Sequence, residues 1–213
     1  MNHSVRISCR SNPDSLPSRV DPLASAELDA TNLTVEGKLP PGLNGVFLKH
    51  CQNQLSHLDG AGSLAAGRIH ALYLQDGVAR YRDRWVRTDE VPAGQAAGHS
   101  RAGCSPGEHT SNSRIVSHAG LLLAMSDTGQ PHCLDWNLNK LGPGSFPAVF
   151  PRGTMSHSNL DPETGELVLV ANDARECRLD CLTVDSSGKL GKVLTFDSPW
   201  PATTHDIAVT RNY

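Results

Sequence analysis

From Val46 onward the chain is written in short apolar stretches cut by turn residues, with no segment long enough in a three-residue period to support a helical domain. That pattern constrains the fold more than any other feature. Val46 to Leu48 follows a turn-rich run containing Pro40, Pro41, Gly42 and Gly45. RIHALYL (Arg68 to Leu74) and VARYRDRWVR (Val78 to Arg87) flank Asp76–Gly77, a tight-hairpin signal. In the second of these, Ala79, Tyr81 and Trp85 share one face, while Arg80, Arg82 and Arg84 occupy the other. A half-buried strand reads this way, its arginines solvated or paired with acidic neighbours. SRIVSHA, LLLAMS, GELVLVA, ECRLDCLTV and KVLTF are further strands divided by turns. The expected class is all-β: a sandwich, barrel or propeller. No GxGxxG or Walker A sequence supports a βαβ alternative.

Two regions depart from this pattern. Residues 1–33 are polar and proline-containing without a period, which predicts a flexible N-terminal arm. Within that region only Leu23–Leu33 offers a modest helical pattern. Residues 88–109 are small, polar and glycine-rich and read as a connection. Nineteen basic against 22 acidic residues give a formal charge of -3. A nucleic-acid partner needs a basic stripe, so the expectation is no nucleic-acid binding. There is no signal peptide pattern, no apolar stretch near membrane-spanning length and no CxxC pair among the six cysteines, so the expected setting is the reducing cytoplasm. Association with a membrane surface is left open by these features.

Ten histidines stand out in this composition, and imidazole is a common ligand for borderline metals. Two contexts are of interest. TMSHSNLDPETGELVLV contains His157, and PATTHDIAVTRNY contains His205. If the second continues as a strand, Thr203, His205, Ile207 and Val209 share a face, and an inward imidazole there must be hydrogen-bonded or bound to metal. Hydrogen-bonded core histidines are the plainer alternative. Asp161 to Glu166 clusters three carboxylates, but Pro162 and Gly165 make it an exposed turn rather than an acid–base site. Asp206 is expected to cap backbone or form a local ion pair. Cys177 and Cys181, four apart, are a weak metal signal.

Several stretches together resemble the N-terminal part of the carotenoid cleavage oxygenases, a family that includes stilbene-cleaving dioxygenases and a retinoid isomerase. PPGLNGVFLKHCQNQ is similar to its early strand and the turn after it. HLDGAGSLAAGRIHALYLQDGVARYRDRWVRT resembles a recognisable signature, and HTSNSRIVSHAGLLLAMSDTGQPHCLD fits the next stretch. MSHSNLDPETGEL and THDIAVTRNY resemble the first and second metal-histidine contexts, in order. The resemblance covers residues 34–213 and implies a seven-bladed β-propeller, of which this chain represents two to three blades. It implies nonhaem ferrous iron, Fe(2+), held by four histidines, with His157 and His205 as the first two. It also implies an apolar conjugated small-molecule substrate, a carotenoid, apocarotenoid or stilbene, cleaved at a carbon–carbon double bond to carbonyl products. His50, His57 and His70 fall where the family pattern assigns no metal ligation; His70 fits a packing or hydrogen-bonding role, and His118 fits the turn between two outer strands. The glutamates that orient the family's histidines have no matched positions here.

Gly60–Ala61–Gly62 departs from the family's aspartate between glycines, Ala65–Ala66–Gly67 lengthens the next connection, and His50 replaces a usual asparagine. Seven blades of roughly 40–50 residues each exceed this length. The expectation is therefore an incomplete propeller that is inactive alone. It is a truncated product, a fragment, or one member of a split protein whose partner is the missing C-terminal half. The alternative is a non-catalytic or decayed propeller fragment with a structural or partner-binding role.

Overall fold

The computed structural model describes residues 6–8, 27–31, 33–54, 65–86, 114–125, 130–142, 144–148, 154–155, 157–173, 177–200 and 206–210. Among them every regular element is a β-strand. Three short strands come first: β1 (Arg6–Ser8), β2 (Asp29–Ala30) and β3 (Thr34–Glu36). Three antiparallel meanders follow. The first is β4 (Gly45–Gln54), β5 (Ala65–Gln75) and β6 (Val78–Trp85); the second is β7 (Arg114–His118), β8 (Leu121–Met125) and β9 (His132–Leu134). The third contains β10 (Thr154–Met155), β11 (Asn159–Leu160), β12 (Leu167–Asp173), β13 (Arg178–Val184) and β14 (Leu190–Asp197). The sheet orders are β2-β6-β5-β4, β7-β8-β9 and β10-β12-β13-β14, with β11 also on β12; β1 and β3 form a separate pair.

Tight turns set the registers. Asp76 (φ 49°) and Gly77 (φ 78°) both take positive φ, as a two-residue type I′ hairpin requires, and Gln75 pairs with Val78 across them. Ala119 (φ 48°) and Gly120 (φ 79°) do the same between β7 and β8. Two cores lie between the meanders. Ile69, Ala71 and Val86 of the first pack with Leu122, Ala124 and Leu134 of the second. Leu123 and Met125 of the second pack with Leu167, Leu169, Leu182 and Val184 of the third. β8 therefore faces a core on each side, which explains its unbroken apolar sequence.

The arginine-bearing face of β6 pairs as expected. Arg82 Nε and Arg84 Nη2 each lie 2.5 Å from a different carboxylate oxygen of Asp29. Hydrogen bonding from Arg84, foremost, and from Arg82 holds the Asp29 carboxyl below its ordinary pKa. Trp85 N donates to Glu27 Oε1 at 3.1 Å. These contacts overturn the helical reading of Leu23–Leu33 for its described residues: Asp29–Ala30 is a strand on β6, because acidic side chains gain arginine partners there that a helix would not supply. Within the N-terminal stretch, Arg6–Ser8 also pairs with Thr34–Glu36. Residues 88–109 lie outside the described residues.

Candidate metal-histidine site

His157 follows β10 and precedes β11, on a segment fixed from three sides. Ser158, its neighbour, is 1% exposed and its hydroxyl points to Met125 Sδ at 3.5 Å. Arg114 Nη1 donates to the Ser158 carbonyl at 2.6 Å, tying the segment to the start of β7. Asn159 Nδ2 donates to the Ile207 carbonyl at 2.5 Å. The turn beyond, from Asp161 to Gly165, is closed by Gly165 N donating to Asp161 O at 2.8 Å. Its Glu163 is exposed while Asp161 and Glu166 are half-buried, and Asp161 Oδ1 accepts from Glu163 N at 2.8 Å, a turn-forming role.

The second histidine context reaches this place. Asp206 Oδ1 lies 3.9 Å from His157 Nδ1 and accepts from Ile207 N at 2.8 Å. Asp206 thus takes the backbone-capping role expected of it, and its carboxylate lies near His157, a neighbour distant in sequence, rather than in a local pair. Residues 206–210 are not a strand, which corrects the continuous-strand reading for that part: Ile207 is half-buried, while Val209 is 43% exposed. A segment with a solvated side and side-chain anchors needs no ladder. His205 itself lies outside the described residues, as does His57.

In kind, these donors suit ferrous iron: a half-buried imidazole with a carboxylate beside it. Their number does not complete a centre, since among the described residues no three His, Cys, Asp or Glu side chains gather to hold a metal. Cys177 and Cys181 are both free thiols, and burial raises the pKa of Cys181, favouring the protonated form over the thiolate a metal needs.

Two of the other described histidines have structural work. His70 Nδ1 lies 2.5 Å from Tyr81 Oη, which donates to Asp83 Oδ2 at 3.1 Å. With the phenol proton committed to Asp83, His70 must donate from Nδ1. Asp83 also holds Arg68 at 2.7 Å, both side chains 6% exposed. Burial is the largest cause both of the lowered His70 pKa and of the Tyr81 pKa, pushed up to about 12. His118, 5% exposed at the end of β7, donates from Nε2 to the Asp185 carbonyl at 2.7 Å. Sequence reading missed Arg114, Ser158 and Asn159. Ser158 and Asn159 stand one and two residues after a singled-out histidine, the local signal they offered; Arg114 lies far from it in sequence.

Residues 23–213 match the family described as RPE65, retinal pigment epithelial membrane protein. A carotenoid cleavage oxygenase of Mycobacterium tuberculosis is 32% identical over 200 residues, covering 89% of this chain and 40% of that protein. An isoeugenol monooxygenase of Pseudomonas nitroreducens is 29% identical over 222 residues, 93% of this chain and 44% of its own length. Among solved structures, a lignostilbene dioxygenase of Pseudomonas brassicacearum superposes with a TM-score of 0.72 at 24% identity, over 87% of this chain and 43% of that one. An apocarotenoid oxygenase mutant of Synechocystis does so with a TM-score of 0.69 at 26% identity, over 87% and 45%. The three stacked meanders are consistent with part of a propeller of this type. The chain spans less than half the length of these relatives.

Proposed function

We propose a function from one established premise: this chain belongs to the RPE65 and carotenoid cleavage oxygenase family. The chain carries part of an iron-dependent dioxygenase that cleaves a conjugated carbon–carbon double bond, with His157 and His205 as metal ligands. The observation that carries this reading is the meeting of the two histidine contexts, through Asn159 to Ile207 and His157 beside Asp206. Ferrous iron bound there supplies activation of dioxygen for cleavage to two carbonyl products. The protein's share is positional. Arg114 and Ser158 hold the backbone next to His157, and Asp206 presents a carboxylate toward its Nδ1. The names of relatives point to a carotenoid, an apocarotenoid, or a phenolic alkene such as resveratrol or isoeugenol as substrate.

Two ligands are fewer than the family's four, so these 213 residues alone turn over poorly. The test is anaerobic Fe(2+) titration of the chain and of His157→Ala and His205→Ala, then oxygen with each substrate. Metal binding weakened in both variants, with little repeated turnover, is the expected result. Metal binding indifferent to both substitutions sinks the shared site, and sustained turnover that depends on both histidines sinks the claim of inactivity.

A second reading has its own observation. Leu194, Phe196 and Trp200 are 55%, 53% and 66% exposed on and beside β14, an apolar edge suited to a partner chain. That reading makes the chain a non-catalytic, partner-binding strand assembly. Stable, stoichiometric association without metal supports it. A monomer that binds iron through both histidines rejects it.

A further inference from the structure

Building on the shared-histidine reading above, we infer that Asn159 is a positioning residue that sets the separation between the two metal-histidine segments. Asn159 stands two residues after His157, and its acceptor, Ile207, stands two residues after His205. The second contact, His157 with Asp206, lies earlier along both segments. The two contacts run in the same order on each, so the segments pass side by side in the same sense. Asp206 is the residue after His205 in the sequence.

The strength of this tie comes from its chemistry. Residues 206–210 are outside any strand, so no ladder fixes their register. The 3.9 Å approach of His157 and Asp206 exceeds hydrogen-bond length, and the Asp206 side chain is 67% exposed. The Asn159 bond is short, 2.5 Å, part-buried, and joins residues 48 apart in sequence. A carboxamide N–H is a directional donor to a carbonyl; a carboxylate at the same place has no proton to give and repels that oxygen. Asn159 belongs to β11, whose pairing with β12 (Asn159 with Val168) makes it a rigid anchor for the looser segment.

The variant Asn159→Asp keeps the shape and removes the donor, while Asn159→Gln keeps the donor on a longer arm. Two measurements are made on the full chain: the Ile207 carbonyl 13C shift without metal, and anaerobic Co(2+) affinity. In Asn159→Asp the Ile207 shift moves, carbonyl shifts in β12 and β13 stay, the melting temperature falls by no more than a few degrees as one part-buried hydrogen bond is lost, and Co(2+) affinity falls about tenfold or more. Asn159→Gln recovers part of both changes. An unmoved Ile207 shift overturns the tie. A moved shift with unchanged Co(2+) affinity leaves a tie without a positioning role and overturns the inference. Co(2+) binding in the wild type that ignores His157→Ala and His205→Ala overturns the shared-histidine reading and the positioning role with it, while the carbonyl shift still judges the tie on its own.

Discussion

Leu123 in β8 and Leu194 in β14 are both leucines within short antiparallel strands, yet Leu123 is fully buried and Leu194 is 55% exposed. The contrast extends along both strands. In β8, Leu122 and Ala124 face the first core and Leu123 and Met125 the second, all at 0–1% exposure. In β14, Val193 and Phe196 are 41% and 53% exposed. β8 has a strand on each side and a meander against each face, whereas β14 is the last strand of its sheet among the described residues. Apolar composition makes a strand able to be buried; its place in the stack decides whether it is.

The largest test of this contrast is truncation. Leu123→Ala should cost about 3 kcal/mol, because the surrounding core cannot collapse into the space left. Leu194→Ala should fall within about 0.5 kcal/mol of wild type. Urea midpoints at constant slope measure both, and equal losses would break the comparison. The next test looks for an exception within β14. A Cβ on Gly191 would stand 2.7 Å from Thr183 Oγ1, which accepts from Lys192 N. Gly191→Ala should therefore cost about 1 kcal/mol, despite the glycine's exposure. A neutral result would show that Thr183 turns away freely.

The smallest effects are pH-dependent and belong to the first meander. The His70 pKa is lowered from 6.5, so its contribution is present above that value and is lost as pH falls through the folded-state pKa. Tyr81 is pushed up to about 12, so its contribution is present below pH of about 10 and is lost as pH rises toward 12. Melting curves of His70→Asn and Tyr81→Phe should show a flatter acid limb and a flatter alkaline limb, respectively. Parallel shifts across all pH would assign these residues a packing role only.

Legibility in the sequence follows the range of the interactions. LLLAM and the Asp76–Gly77 turn are local patterns, and the structure realises both. So is the alternation in β6, whose Arg82 and Arg84 meet Asp29 and Glu27 while Arg80 lies over the Tyr73 ring. The described part of Leu23–Leu33 departs from the helical pattern because those same partners lie more than fifty residues away, where no local window registers them. The Arg114–Ser158 and Asn159–Ile207 bonds, spanning 44 and 48 residues, escaped for the same reason. Histidine contexts were recognisable as motifs, but that a side-chain amide joins them is not written in either one.

The double-sided burial of β8 also bears on how the chain comes apart. A strand that serves as a common wall leaves neither core able to open without exposing the other. Stability then resides in the coupling between neighbours more than in any single sheet. Amides of β5, β8 and β12 should share one slow hydrogen-exchange rate, set by global unfolding, while β14 exchanges through local fraying. In such a chain, five residues at the centre act as the hinge pin of cooperativity: lose their fit, and three meanders become three separate and marginal hairpins.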